Sequence, residues 1–163
     1  MRKDHLLVKI RESFYYEKRF EDVDIVSMNE LYKDYEGNEV AYFFKNKSNS
    51  EIKLHDLLEG YKSDHTACIN FMKPSAASYF IGAYMHLGVE NNQLGNGLRA
   101  NLMYLFSGAL LNSDEDERWF NEITNSYSVL QRSVIRDFID YVEENDGKSL
   151  SSVDFLAAKK MFE

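Results

Sequence analysis

The sequence predicts a mainly α fold: one compact helical domain over residues 1–163, with a buried helical hairpin at its centre, about 74–87 and 98–111. Three observations carry that prediction. The chain has one proline and eight glycines in 163 residues, too little turn material for a many-stranded sandwich. Apolar residues recur at spacings of three and four in one segment after another. Helix-start signatures precede several of those segments: Ser113 with Asp116, Ser128 with Gln131, and Ser151 with Asp154.

Asp4 caps a first helix in this reading, with Leu7, Ile10 and Phe14 on one face and an end near Phe20. Asn29–Tyr35 and Glu39–Lys45 read as two short helices separated at Gly37-Asn38. The residues VAYFF (40–44) would also suit a strand, being β-branched and aromatic, but helix is the reading adopted. After the polar run NKSNS, Leu54–Tyr61 reads as a further helix.

From Pro74 to Leu87 the pattern is apolar on nearly every side, which marks a buried helix. Ala76, Phe80, Ala83, Tyr84 and Leu87 form its main face, widened by Ala77, Ile81 and Met85. The narrow remainder is Ser75, Ser78, Gly82 and His86, small enough in places to admit a second helix closely. Pro74 suits the first helical position, although Lys73 before it is a poor cap. A loop rich in Gly and Asn leads to Leu98, Leu102, Leu105, Phe106 and Leu110 at helical spacing. The next helix starts at Ser113. The one after it carries Leu130, Val134, Phe138, Tyr141 and Val142, with Ile135 and Ile139, and stops at Asp146-Gly147. A short helix from Ser151 closes the chain.

Charge is unevenly spread along these elements. Residues 1–20 carry six Lys or Arg and three acids, whereas 71–111 carry only Lys73, Glu90 and Arg99. Residues 112–146 carry ten acids and three arginines, which accounts for most of the net charge of −8. That field repels nucleic acid and anionic membranes and attracts basic partners. No long apolar run and no secretory leader is legible, so a cytoplasmic location is expected.

Motifs for chemistry are few. Ser63, Asp64 and His65 contain the residue types of a hydrolase triad, but adjacency in sequence does not build that relay, and a polar turn is expected. His65 and Cys68 have a metal-like spacing without further ligands, and the lone Cys68 reads as core packing rather than a nucleophile. Asp114–Glu117 lacks the alternation and glycine of a calcium loop. The GNG at 95–97 lacks the lysine and spacing of a phosphate loop. The residues therefore call for no catalytic set, no metal and no cofactor.

Phe71, Pro74, Ala76, Tyr79, Ala83 and Tyr84, followed by Ser128, Gln131, Phe138 and Ile139, resemble the two motifs of an uncharacterised family of small helical bacterial proteins. The likeness covers roughly residues 50–145. Lys73, Ala77 and Gly82 depart from the pattern, where the family has a capping Thr or Ser, an aromatic and a second proline. The resemblance implies a helical architecture and carries no activity or catalytic residue with it.

A small, acidic, aromatic-rich chain without catalytic motifs looks like an immunity protein of the contact-dependent growth-inhibition type. Its expected partner is a cognate, basic toxin domain, a nuclease for example, and neither nucleic acid nor membrane. The expected partner-binding residues are Asp114, Glu115, Asp116 and Glu117, with Asp137, Asp140, Glu143 and Glu144 on the following helix. A non-catalytic interaction or regulatory module, homodimeric through exposed Tyr and Phe, is the second reading. A hydrolase using His65 with Cys68 or Asp64 is the third.

Overall fold

A computed structural model of the chain describes residues 2–27, 35–61 and 64–163. Among these the regular structure is helical throughout, and no strand occurs. The elements are α1 (Lys3–Phe14), α2 (Asp22–Ile25), α3 (Tyr35–Phe44), α4 (Leu54–Gly60), α5 (Pro74–Glu90), α6 (Asn96–Ser107), α7 (Asp114–Ser126), α8 (Val129–Asp146) and α9 (Ser152–Met161). Short 3-10 turns at Asn49–Glu51 and Cys68–Phe71 link them.

Helix α5 is the axis of the bundle. Thirteen of its residues, from Ala76 to Val89, are buried. Helices α1, α2, α6 and α7 all pack against it, while α9 covers α6 and α8 lies on α1. The central hairpin is thus α5 and α6, joined through 91–95, and its burial fits a charge content limited to Glu90 and Arg99. Aromatic side chains fill the space around α5. Phe80 meets Phe20 and Phe44 at ring-centre distances of 5.7 and 4.7 Å, and Phe106 meets Phe162 at 5.1 Å. Three buried tyrosines end on backbone carbonyls: Tyr84 donates to His65 O at 2.8 Å, Tyr79 to Tyr16 O at 2.9 Å and Tyr127 to Ser78 O at 3.2 Å. Each ring contributes apolar area while its hydroxyl stays satisfied.

The start of α5 shows how a weak local signal is completed by tertiary contacts. Lys73 makes no side-chain cap, and Pro74 occupies the first turn. Lys73 instead binds α2 twice, its backbone N–H donating to Ile25 O and its ammonium to Val23 O, both at 2.6 Å. The residue that is a poor cap therefore ties two helices together.

Several boundaries differ from the sequence reading. Helix α1 ends at Phe14 rather than near Phe20. Its last carbonyls are captured from elsewhere: Asn49 Nδ2 donates to Phe14 O at 3.0 Å and Gln131 Nε2 to Ser13 O at 3.2 Å. The chain is then free to turn away, because those acceptors no longer need helical partners. Arg2, not Asp4, precedes α1; Asp4 sits in the first turn, where its charge suits the helix dipole. Gly37-Asn38 does not break a helix but lies within α3, which buries Gly37, Val40, Ala41, Phe43 and Phe44. Residues 29–34 of the other short helix lie outside the described residues. Helix α6 stops at Ser107, because Gly108 takes a left-handed φ of 79°, and Leu110 follows in a turn. Leu130 is 63% exposed in the first turn of α8, whereas the rest of the expected stripe is buried. Serving the cap through Ser128 and Gln131, that turn leaves Leu130 outside the core.

Candidate functional site

The acidic run 114–117 forms the first turn of α7. Ser113, in extended backbone, accepts a hydrogen bond from Asp116 N at 3.1 Å, and Asp116 Oδ2 accepts from Asn112 N at 2.9 Å. That backbone N–H, with help from Ser113, holds the Asp116 carboxyl below its ordinary value, so it stays ionised. Asp114, Glu115 and Glu117 are exposed, and among the described residues none of them has an ion-pair partner.

The acids of α8 stand differently. Asp137 pairs with Lys9 of α1 at 2.7 Å, and Lys159 of α9 bridges Asp140 and Glu143, also at 2.7 Å. Glu144 is exposed on the same helix. Asp137, Asp140 and Glu143 therefore face lysines and clamp α8 to its neighbours. The eight acids expected to form a partner surface divide into an unpaired group on α7 and a largely neutralised group on α8.

A cleft of about 530 Å³ opens beside the unpaired group. Met72 and Leu105 are its buried floor; Phe71, Leu110, Leu111 and Trp119 are half-buried around it. Glu115 and Asp116 stand on one rim, and Lys73 on another. Trp119 is held in place by its indole N–H, which donates to Met72 O at 2.7 Å. Periodicity alone did not single out this cleft, since its walls come from the 68–71 turn, the end of α6, the 108–112 turn and α7. The one sequence signal was the chain's only tryptophan, two residues beyond the acidic run.

The His65–Cys68 region is built for packing. Cys68 is fully buried, and burial pushes its thiol up to about 12 despite the nearby Tyr84 and Tyr61 hydroxyls. A thiol in that state is protonated at neutral pH and a poor nucleophile. Asp64 accepts from Thr66 N at 2.9 Å and from Thr66 Oγ1 at 2.7 Å, closing a turn before Cys68. Ser63 lies outside the described residues.

Arg99 had no role in the sequence reading beyond being one of three charges in the middle of the chain. It is buried and bridges the hairpin to α8, donating to Asp146 through Nε and, at 3.0 Å, through Nη2. It also donates to Gly88 O and, at 2.9 Å, to Asn92 O, so one guanidinium closes the 91–95 connection. Among the described residues no three His, Cys, Asp or Glu side chains converge as metal ligands, and no helix is long and apolar enough to cross a membrane.

No family model matches this chain. Neither a curated protein nor a solved structure matches it either.

Proposed function

We propose that the chain is an immunity protein, which binds a cognate bacterial toxin domain and occludes its active site. The observation that carries this reading is the exposed, unpaired acidic turn at Asp114, Glu115 and Glu117 beside a preformed cleft. A surface of that sign attracts a basic protein and speeds encounter, while the cleft supplies apolar contact once the two meet. A nuclease is a suitable target, because its substrate channel is basic and an acidic helix end competes with phosphate there. A cytoplasmic site of action, where such a toxin works, belongs to the same proposal. The resemblance of the Phe71–Tyr84 and Ser128–Ile139 motifs to small helical bacterial proteins is compatible with it but supplies no function.

The test is to purify the chain with the toxin domain encoded immediately upstream and measure affinity at several salt concentrations. The reading expects affinity that falls as salt rises, and that falls further when Asp114, Glu115 and Glu117 are each changed to Lys. Binding indifferent to both, or no adjacent toxin gene, overturns it.

A second reading, a homodimeric interaction module, draws on apolar side chains left in water. Val129 is 86% exposed on α8, and Val153 and Leu156 are 70% and 72% exposed one turn apart on α9. Light scattering over a range of concentrations decides it: a monomer throughout removes this reading.

A further inference from the structure

The cleft beside α7 joins two chemistries that a partner must match together. Its apolar wall is Phe71, Leu110, Leu111 and Trp119, and its rim presents the carboxylates of Glu115 and Asp116. Among the described lining residues the one basic group is Lys73, whose ammonium is engaged by Val23 O at 2.6 Å. Among the described residues, two carboxylates against one engaged ammonium make this rim of the cleft acidic. Its volume of about 530 Å³ falls within the range of ~300–1,000 Å³ typical of sites that enclose a ligand.

Resting on the reading that the partner is a protein, we propose that this cleft seats a segment in which a large apolar residue adjoins an arginine or lysine. The apolar side chain packs against Trp119 and the leucines. The basic residue lays its methylene stem along the same wall and carries its head to Glu115 and Asp116. An uncharged segment would leave Glu115 unmatched, Asp116 already accepting from the Asn112 N–H, and an acidic one would be repelled. Trp119 is suited to anchor such a contact, since its indole N–H is already satisfied within the chain and its orientation is set before binding.

Trp119 also reports on the cleft, because it is the only tryptophan and gives a single indole N–H signal in a nitrogen-proton correlation spectrum. The intact chain is titrated with N-acetyl-leucyl-arginine amide, and separately with N-acetyl-leucyl-glutamate amide. The arginine compound is expected to move the signal saturably and the glutamate compound to leave it in place. Glu115→Lys, on the exposed rim, should weaken the arginine compound about fivefold. Equal shifts from both compounds, or no saturable shift from the first, overturn the proposal.

The cognate toxin domain separates this inference from the reading beneath it. Leu110→Lys, shown by circular dichroism to be folded, should weaken toxin binding; if that variant does not fold, Glu115→Lys carries the comparison. Undiminished toxin binding overturns the cleft as the anchor and leaves the immunity reading standing. Saturable binding of the arginine compound by a chain that ignores the toxin supports the cleft and overturns the immunity reading alone.

Discussion

Gly82 meets Phe14 so closely that a β-carbon added to Gly82 would stand 2.4 Å from the Phe14 β-carbon and 2.8 Å from its γ-carbon. This is where α1 crosses α5, and the atoms in the way lie at the root of the Phe14 side chain. Rotation about its own bonds cannot move that β-carbon aside. In an exposed helix Gly→Ala would stabilise by about 1 kcal/mol through propensity. Here the overlap, ~1–3 kcal/mol for an overpacked core, should win. Gly82→Ala is expected to lower the urea midpoint, and Gly82→Leu to lower it further. A melting temperature unchanged in Gly82→Leu would refute the close approach.

Arg99 and Asp146 should be the costliest polar pair to break. Their charges are mostly out of water, and Arg99 also serves two backbone carbonyls. Removing one partner leaves a buried charge uncompensated, a loss of about 3–5 kcal/mol when burial is complete. After Asp146→Asn the guanidinium keeps its two backbone carbonyls, so the loss should fall below that range; Arg99→Leu removes those bonds together with the ion pair and should come nearer to it. Chemical denaturation of both variants measures the difference; equal, negligible losses would contradict a structural role.

His86 should make the fold sensitive to mild acid. Burial first, and Arg11 second, hold its pKa below the ordinary 6.5, and its Nε2 accepts from Arg11 Nε at 2.8 Å, which requires that nitrogen to be unprotonated. The unfolded chain therefore binds the proton more readily than the folded one, and the neutral ring's contribution is whole above 6.5. Stability should fall as pH drops below that value, until the folded-state pKa is passed. His86→Gln should flatten this part of the profile. A wild-type stability curve level across it, or an identical slope in the variant, would exclude the linkage.

Cys68 should be chemically silent in the folded protein. Its burial and raised pKa leave almost no thiolate to react. Thiol-specific reagents are expected to label it at the rate of global opening, and promptly in denaturant. Prompt stoichiometric labelling of the native chain would revive the nucleophile reading.

The parts of the fold legible in the sequence are those with local causes. The capping box of Ser128 and Gln131 forms as read, with Ser128 N donating to Gln131 Oε1 at 3.0 Å and Gln131 N to Ser128 Oγ at 3.2 Å. The nearly charge-free stretch around Pro74–Leu87 identified the central helix, because ionised groups are excluded from a dry interior. The end of α1 was not legible, since it depends on Asn49 and Gln131, 35 and 118 residues away. Nor was the division of the acids, because the partners of Asp137, Asp140 and Glu143 are lysines on α1 and α9.

By itself, then, the sequence determined the helical class, the central hairpin, most helix starts and the position of the acidic run. These rest on periodicity and on caps within a few residues. Tertiary structure alone decided that Gly82 receives Phe14, that Arg99 locks the hairpin to α8, and that Trp119 lines a cleft beneath unpaired carboxylates. Each of those depends on which distant side chains share a space, and pairing, overlap and burial are properties of that space rather than of any one segment.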